Sequence, residues 1–236
     1  MVANLTTPLI GIVSTIAIGR LGDATLLGGV AIASVIFDCL FWLFGFLRMS
    51  TLAFTAQSLG AGETQELRAH LVRGFVVAAL IGASLIVLQI PLAAILLGAM
   101  GSSEGVTRAA KIYFNIRIWS APLVLANYVA LGWLIGQARA KLALTVQIAI
   151  NVINMAATIL LVLVLDAGIA GAAIGAVVAE AAGLVLGVLM ARRLTYGKPA
   201  VARAALLDRA KLMRMLTVNR YRHSCSSQPK ARVPAT

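Results

Sequence analysis

Long apolar stretches separated by short polar connectors run along the whole chain. Positions 1–19 carry no charged side chain, 24–47 carry only Asp38, and 74–103 form an uncharged run of 30 residues. Positions 118–138 and 142–165 carry no charge, and 167–191 carry only Glu180. About 20 apolar residues in helical form cross the hydrocarbon core of a bilayer, so this pattern predicts six transmembrane helices. No basic segment precedes the first stretch, which therefore reads as a span and not as a secretory leader. The second span is expected to run on past Arg48 towards Leu59, since no helix breaker intervenes before Gly60.

The connectors hold turn residues: Gly22-Asp23, Gly60-Ala61-Gly62-Glu63, Gly101-Ser102-Ser103, Gln137-Ala138-Arg139 and Asp166-Ala167-Gly168. Short loops between long helices make neighbours antiparallel in a bundle. The expected fold class is all-α, an integral membrane bundle of six transmembrane helices. Composition agrees: 61% of the 236 residues are hydrophobic, 12% are charged and the mean hydropathy is +0.96. Soluble domains carry about 25% charged residues, so a soluble enzyme is excluded. The chain lacks paired-carboxylate, HExxH, Walker A and GxSxG patterns, and its two cysteines and two histidines form no metal-ligand spacing. It is read as a non-enzyme without cofactor.

The net charge of +12 changes the picture only through its position. Eleven of the twenty basic residues lie between Arg192 and Arg232, directly after the last apolar stretch. That is the signature of a cytosolic membrane flank, and no nucleic-acid recognition module accompanies it. Basic residues divide 15 to 3 between the two sets of connectors, with Arg20, Arg108 and Lys111 in the smaller set. The positive-inside rule then puts both termini in the cytoplasm of a multi-pass protein of the cytoplasmic (inner) membrane. Three regions follow: a six-helix lobe over 1–196, a basic linker or surface helix over 197–219 against the anionic leaflet, and a disordered polar tail over 220–236.

Polar groups inside spans are costly, roughly 2.5–3.5 kcal/mol for a central Asp or Arg. Asp38, Arg48, Arg117 and Glu180 therefore need partners or water. For Arg48 and Arg117 an internal ion pair or an interfacial position is the plainer reading. For Asp38 and Glu180 a packing role and a substrate or ion path stand level. Asn151, Asn154 and Thr158 recur at i, i+3 and i+7 and share one helix face. Such a stripe faces protein or water, as a path or as interhelical hydrogen-bond glue. Gly171, Gly175, Ala179, Gly183 and Gly187 form a small-residue stripe that admits close helix approach. Pro8, Pro91 and Pro122 fall inside spans and are expected to bend or break them.

Several strings resemble the multidrug and toxic compound extrusion (MATE) family. They are Thr6-Thr7-Pro8-Leu9-Ile10-Gly11, Phe44-Gly45-Phe46-Leu47-Arg48-Met49 with Thr55-Ala56-Gln57, Arg117-Ile118-Trp119-Ser120-Ala121-Pro122, Gly132-Trp133-Leu134-Ile135-Gly136 and Asn151-Val152-Ile153-Asn154. The second string resembles the DNA-damage-inducible protein F branch of that family. The resemblance implies one lobe of a twelve-helix antiporter that exports organic, often cationic, compounds against H+ or Na+. It also implies carboxylates at the positions of Ser14 and Thr158, and both are absent here. Asp38 and Glu180 are the remaining intramembrane acids. The substrate and ion-path candidates are thus Ser14, Asp38, Asn151, Asn154, Thr158 and Glu180.

By the family pattern the chain holds one lobe only. After Asn219 its composition changes abruptly, as a frameshifted reading would produce, or else as a natural polar tail. Its expected partners are the bilayer, small organic substrates, and a missing second lobe or a second copy acting as a homodimer. Two rivals remain: a lipid or saccharide-lipid flippase of the related superfamily, and a non-transporting membrane remnant. The charge division makes topology testable. With Cys39 and Cys225 replaced, Ser102→Cys should react with an impermeant thiol reagent from outside the cell and Gln137→Cys only from the cytosolic side. Labelling of Ser102→Cys from the cytosol alone would reverse the orientation.

Overall fold

The computed structural model describes residues 24–195. The first expected span at 1–19, the linker at 197–219 and the tail at 220–236 lie outside the described residues, as does Ser14. The described chain is helical throughout: α1 (Ala24–Leu43), α2 (Phe46–Gly60), α3 (Thr64–Val87), α4 (Gln89–Ala99), α5 (Glu104–Arg117), α6 (Ala121–Gly136), α7 (Ala140–Ile159) and α8 (Gly168–Thr195). A 3-10 turn at Ile118–Ser120 joins α5 to α6, and a π turn at Leu160–Val164 closes α7. Five helical stretches are long and apolar enough to cross a membrane: Ala24–Gly60, Thr64–Val87, Glu104–Gly136, Ala140–Val164 and Gly168–Thr195. They correspond to the second to sixth expected spans.

The second span does run on to Gly60, with one irregular step at Phe44-Gly45 between α1 and α2. The third differs from the uncharged run at 74–103. Its helix starts ten residues earlier, at Thr64, because charges within it neutralise one another. Arg73 is fully buried and places Nη1 3.0 Å from Glu66 Oε2, two turns away on the same face. His70 lies between them, sharing a hydrogen bond with Ser58 Oγ of α2 at 3.1 Å and stacking on Phe54. The helix then ends at Val87. Pro91 has no N–H to donate to the Val87 carbonyl, so the ladder breaks there and α4 begins as a separate short helix.

The fourth span is also longer than 118–138. It begins at Glu104, so Arg108 and Lys111 sit exposed on helix α5 and not in a loop. Pro122 cannot donate to Ile118, and the helix tightens into the 3-10 turn at that point. Ser120 Oγ donates to the Arg117 carbonyl at 2.7 Å, taking up one group that the tightening would otherwise strand.

Helix α6 is the hub. In its span 72% of the most apolar stretch is buried, against 28% in the α7 span. It packs on α2, α3, α7 and α8. Trp133 is fully buried and donates Nε1 to the Leu67 carbonyl of α3 at 2.6 Å. On the opposite side, a Cβ at Gly132 would stand 2.5 Å from the Arg48 carbonyl oxygen of α2, so the two backbones nearly touch. The expected small-residue stripe of α8 is buried along its length and lies against the π turn, α7 and α6. Lipid offers no hydrophobic drive for helix association, so close contacts of this kind hold the bundle together.

That argument predicts a contrast between two glycines. Gly132→Val should lower the melting point of the detergent-solubilised chain, at a cost of about 1–3 kcal/mol typical of overpacking. Gly98→Val on α4, where a Cβ meets nothing within 4 Å, should leave it unchanged. Equal melting of the two variants would contradict a close α2–α6 contact.

Candidate functional site

Five helices surround a cavity of about 760 Å³. Helical spacing selects the lining. Ser34, Asp38 and Trp42 recur every fourth residue on α1, and Tyr113 and Arg117 do so on α5. Helix α7 supplies Gln147, Asn151 and Asn154, and α8 supplies Ala172, Ala176 and Glu180 at the same four-residue interval. The two alanines of α8 keep the wall thin beside Glu180. Asn127 and Tyr128 come from the hub helix α6, and Phe37, Phe41 and Leu131 add apolar surface.

Glu180 is held by Asn127. The Asn127 amide donates to the Glu180 carboxylate Oε2 at 2.7 Å and to the Glu180 backbone carbonyl at 2.9 Å. Both donors of that amide are thereby used on one residue 53 positions away. Gly183 makes the approach possible: a Cβ there would overlap Ile150 and stand 3.3 Å from Asn127 Nδ2. The Asn127 carbonyl oxygen is buried without a hydrogen-bond partner. Neighbouring Gln147 donates to Asn151 Oδ1 at 3.4 Å along α7.

Arg117 is the cation of the cavity. Its guanidinium carbon lies 5.8 Å from the centroid of the Phe37 ring. Among the described residues it forms no ion pair with Asp38 or Glu180, and its Nη1 is buried without a hydrogen-bond partner. The site thus holds an exposed carboxylate at Asp38, half-buried Glu180 and Arg117, and amide, phenol and apolar groups in one lining.

Of the six residues expected from the sequence, Asp38, Asn151, Asn154 and Glu180 meet at this cavity. Ser14 lies outside the described residues. Thr158 is fully buried but does not line the cavity; it packs in the α7–α8 seam, its Oγ1 3.2 Å from where a Cβ of Gly175 would stand. The α7 stripe therefore does face protein, but it divides between cavity and seam. Arg117, Asn127, Tyr128 and Gln147 line the site without having been expected there. A signal existed for one pair: Tyr113 and Arg117, the latter at the edge of the expected fourth span, are spaced i, i+4 on one helix.

The MatE family model matches residues 1–160. The chain belongs to the MATE family. DNA damage-inducible protein F of Escherichia coli (strain K12) is 40% identical over 192 residues, which cover 81% of this chain and 42% of that protein. Among solved structures, a MOP superfamily transporter from Pyrococcus furiosus matches at a TM-score of 0.77 and 17% identity, over 92% of this chain and 48% of that one. An outward-facing multidrug resistance MATE transporter of the MOP superfamily matches at 0.78 with the same identity and coverage. A MATE structure in the straight conformation matches at 0.78 and 18% identity, again over 92% and 48%. These structures share the fold of this MATE chain, which spans less than half the length of each relative.

The Asn127–Glu180 contact carries a prediction of its own. Asn127→Leu should destabilise the detergent-solubilised chain by about 1.5–3 kcal/mol, since it strips a charged acceptor of its donor. Glu180→Gln keeps a partner for the amide and should cost less. Thermal melting of both variants checks the order, and a greater loss for Glu180→Gln would contradict it.

Proposed function

We propose that this chain is one lobe of a multidrug antiporter that exports organic, often cationic, compounds across the cytoplasmic membrane in exchange for H+ or Na+. One observation carries the reading: Asp38 and Glu180, both within membrane-spanning helices, share a single cavity with Asn151 and Asn154. Carboxylates at membrane depth are expensive and mark ion or substrate routes. An organic cation and the coupling ion compete for the same carboxylates, so arrival of one expels the other. Glu180 and Asp38 take the part that the absent acids at Ser14 and Thr158 play elsewhere in the family. Alternating access needs one lobe to move against another, and this chain supplies one wall. A second lobe supplies the other; efflux by this chain alone would instead give that part to a second copy related by an axis along the membrane normal.

The test is efflux of ethidium from cells lacking their own pumps. Residues 1–236 alone should give no more efflux than empty vector. Co-expression with the C-terminal half of the E. coli relative should restore it. In that pairing Glu180→Gln should lower efflux about ten-fold or more, a loss of roughly 1.4 kcal/mol. Glu104→Gln, exposed in the first turn of α5, should leave efflux unchanged. Full efflux by a chain carrying both Asp38→Asn and Glu180→Gln would remove the acids from the route. Movement of a fluorescent lipid in place of the dye would favour the flippase.

A further inference from the structure

We propose that Arg117 forms an oxyanion subsite in this cavity, so that the compounds it receives include bulky organic solutes bearing a carboxylate. This rests on the reading of the cavity as a substrate site and names a chemical class within it.

A guanidinium in apolar surroundings is normally consumed by an acid, because an unpaired buried charge is costly. Two acids line the same cavity, yet neither is in ion-pair contact with Arg117. Glu180 is already engaged, its Oε2 accepting from Asn127. Asp38 is exposed where α1 lines the cavity. Arg117 is steadied instead by the face of Phe37, a contact that fixes the plane of the guanidinium without using its N–H donors. Nη1 keeps donors with no acceptor. A guanidinium with its Nη1 donors free suits the oxygens of a carboxylate.

Size and lining exclude a small inorganic anion as the fitting occupant. The cavity, at about 760 Å³, lies within the 300–1,000 Å³ typical of sites for drug-sized molecules. Trp42, 83% exposed, supplies apolar surface beside the buried Phe37, Phe41 and Leu131, so an apolar body has a face to cover while its oxyanion reaches Arg117. Neither acid is in ion-pair contact with Arg117. The cavity therefore reads a molecule by the position of its charge, with an anionic group at α5 and a cationic group between α1 and α8.

The experiment uses the full chain in phosphatidylcholine nanodiscs and two fluorescent probes of opposite charge, dansylglycine and dansylcadaverine. Energy transfer from tryptophan reports binding, and Trp42→Phe identifies the signal from the cavity wall. Dansylglycine should bind. Arg117→Gln should weaken it about ten-fold or more while dansylcadaverine binding persists, which also shows that the variant is folded. Arg117→Lys should retain part of the dansylglycine affinity, and Asp38→Asn should weaken dansylcadaverine alone. Dansylcadaverine binding without dansylglycine binding overturns the subsite and leaves the transport reading standing. Failure of both probes overturns the two together. Equal dansylglycine affinity in wild type and Arg117→Gln also overturns it. A phosphatidylglycerol arm separates the sources of the oxyanion: displacement of dansylglycine by that lipid would assign Arg117 to a lipid headgroup and overturn the solute reading.

Discussion

A single amide ties the two halves of the site together. Asn127, on the most buried helix, spends both of its N–H groups on Glu180 of α8. The pair fixes the direction of the carboxylate, which makes no ion pair with Arg117. Charge-assisted hydrogen bonds of this kind are roughly twice as strong as neutral ones. The cavity's polarity thus depends on a contact that joins helices far apart in sequence.

That contact depends in turn on backbone proximity. Helix α8 comes close to α6 and α7 only because its buried stripe is made of glycine and alanine, with Gly183 beside Asn127 itself. Helix α6 is similarly close to α2 through Gly132 and is anchored to α3 through Trp133. The proline breaks complete the arrangement. Pro122 stops the helical ladder just beyond Arg117, and the resulting 3-10 turn lies between the guanidinium and the hub helix that carries Asn127. A regular helix would place the two residues with a different rotation about the axis, since 3-10 and α geometry advance by different angles per residue.

The spans were legible because hydrophobic length is a one-dimensional property. The ends were less so. Charge-free runs located α7 and α8 closely, since their flanks hold Arg139, Lys141, Asp166 and Arg192 in or near connectors. They misplaced the starts of α3 and of the α5–α6 span, where helices continue through charged residues. Arg73 is invisible as a buried residue until Glu66 is seen two turns below it. The α7 amides and the two acids were legible as polar residues in apolar context. What periodicity withheld was partnership: nothing in the sequence pairs Asn127 with Glu180, and Arg117 looked like a residue to be neutralised. Only tertiary packing shows that its neutralising partner is already occupied.

The position of the acid on α8 also has a packing reason. A carboxylate at 158 would have to fit the α7–α8 seam, where the Thr158 backbone and hydroxyl lie close to Gly175. Thr158 is buried away from the cavity, and an ionised group in its place would lose its hydration without gaining a donor. Glu180 lies on the same helix as Gly175, five residues onward, where the alanine-lined wall opens onto the cavity. An acid at that point has an amide to hold it and open space in front of it. The threonine then does a different job from an acid: small and fully buried, it lets α8 pack closely against α7.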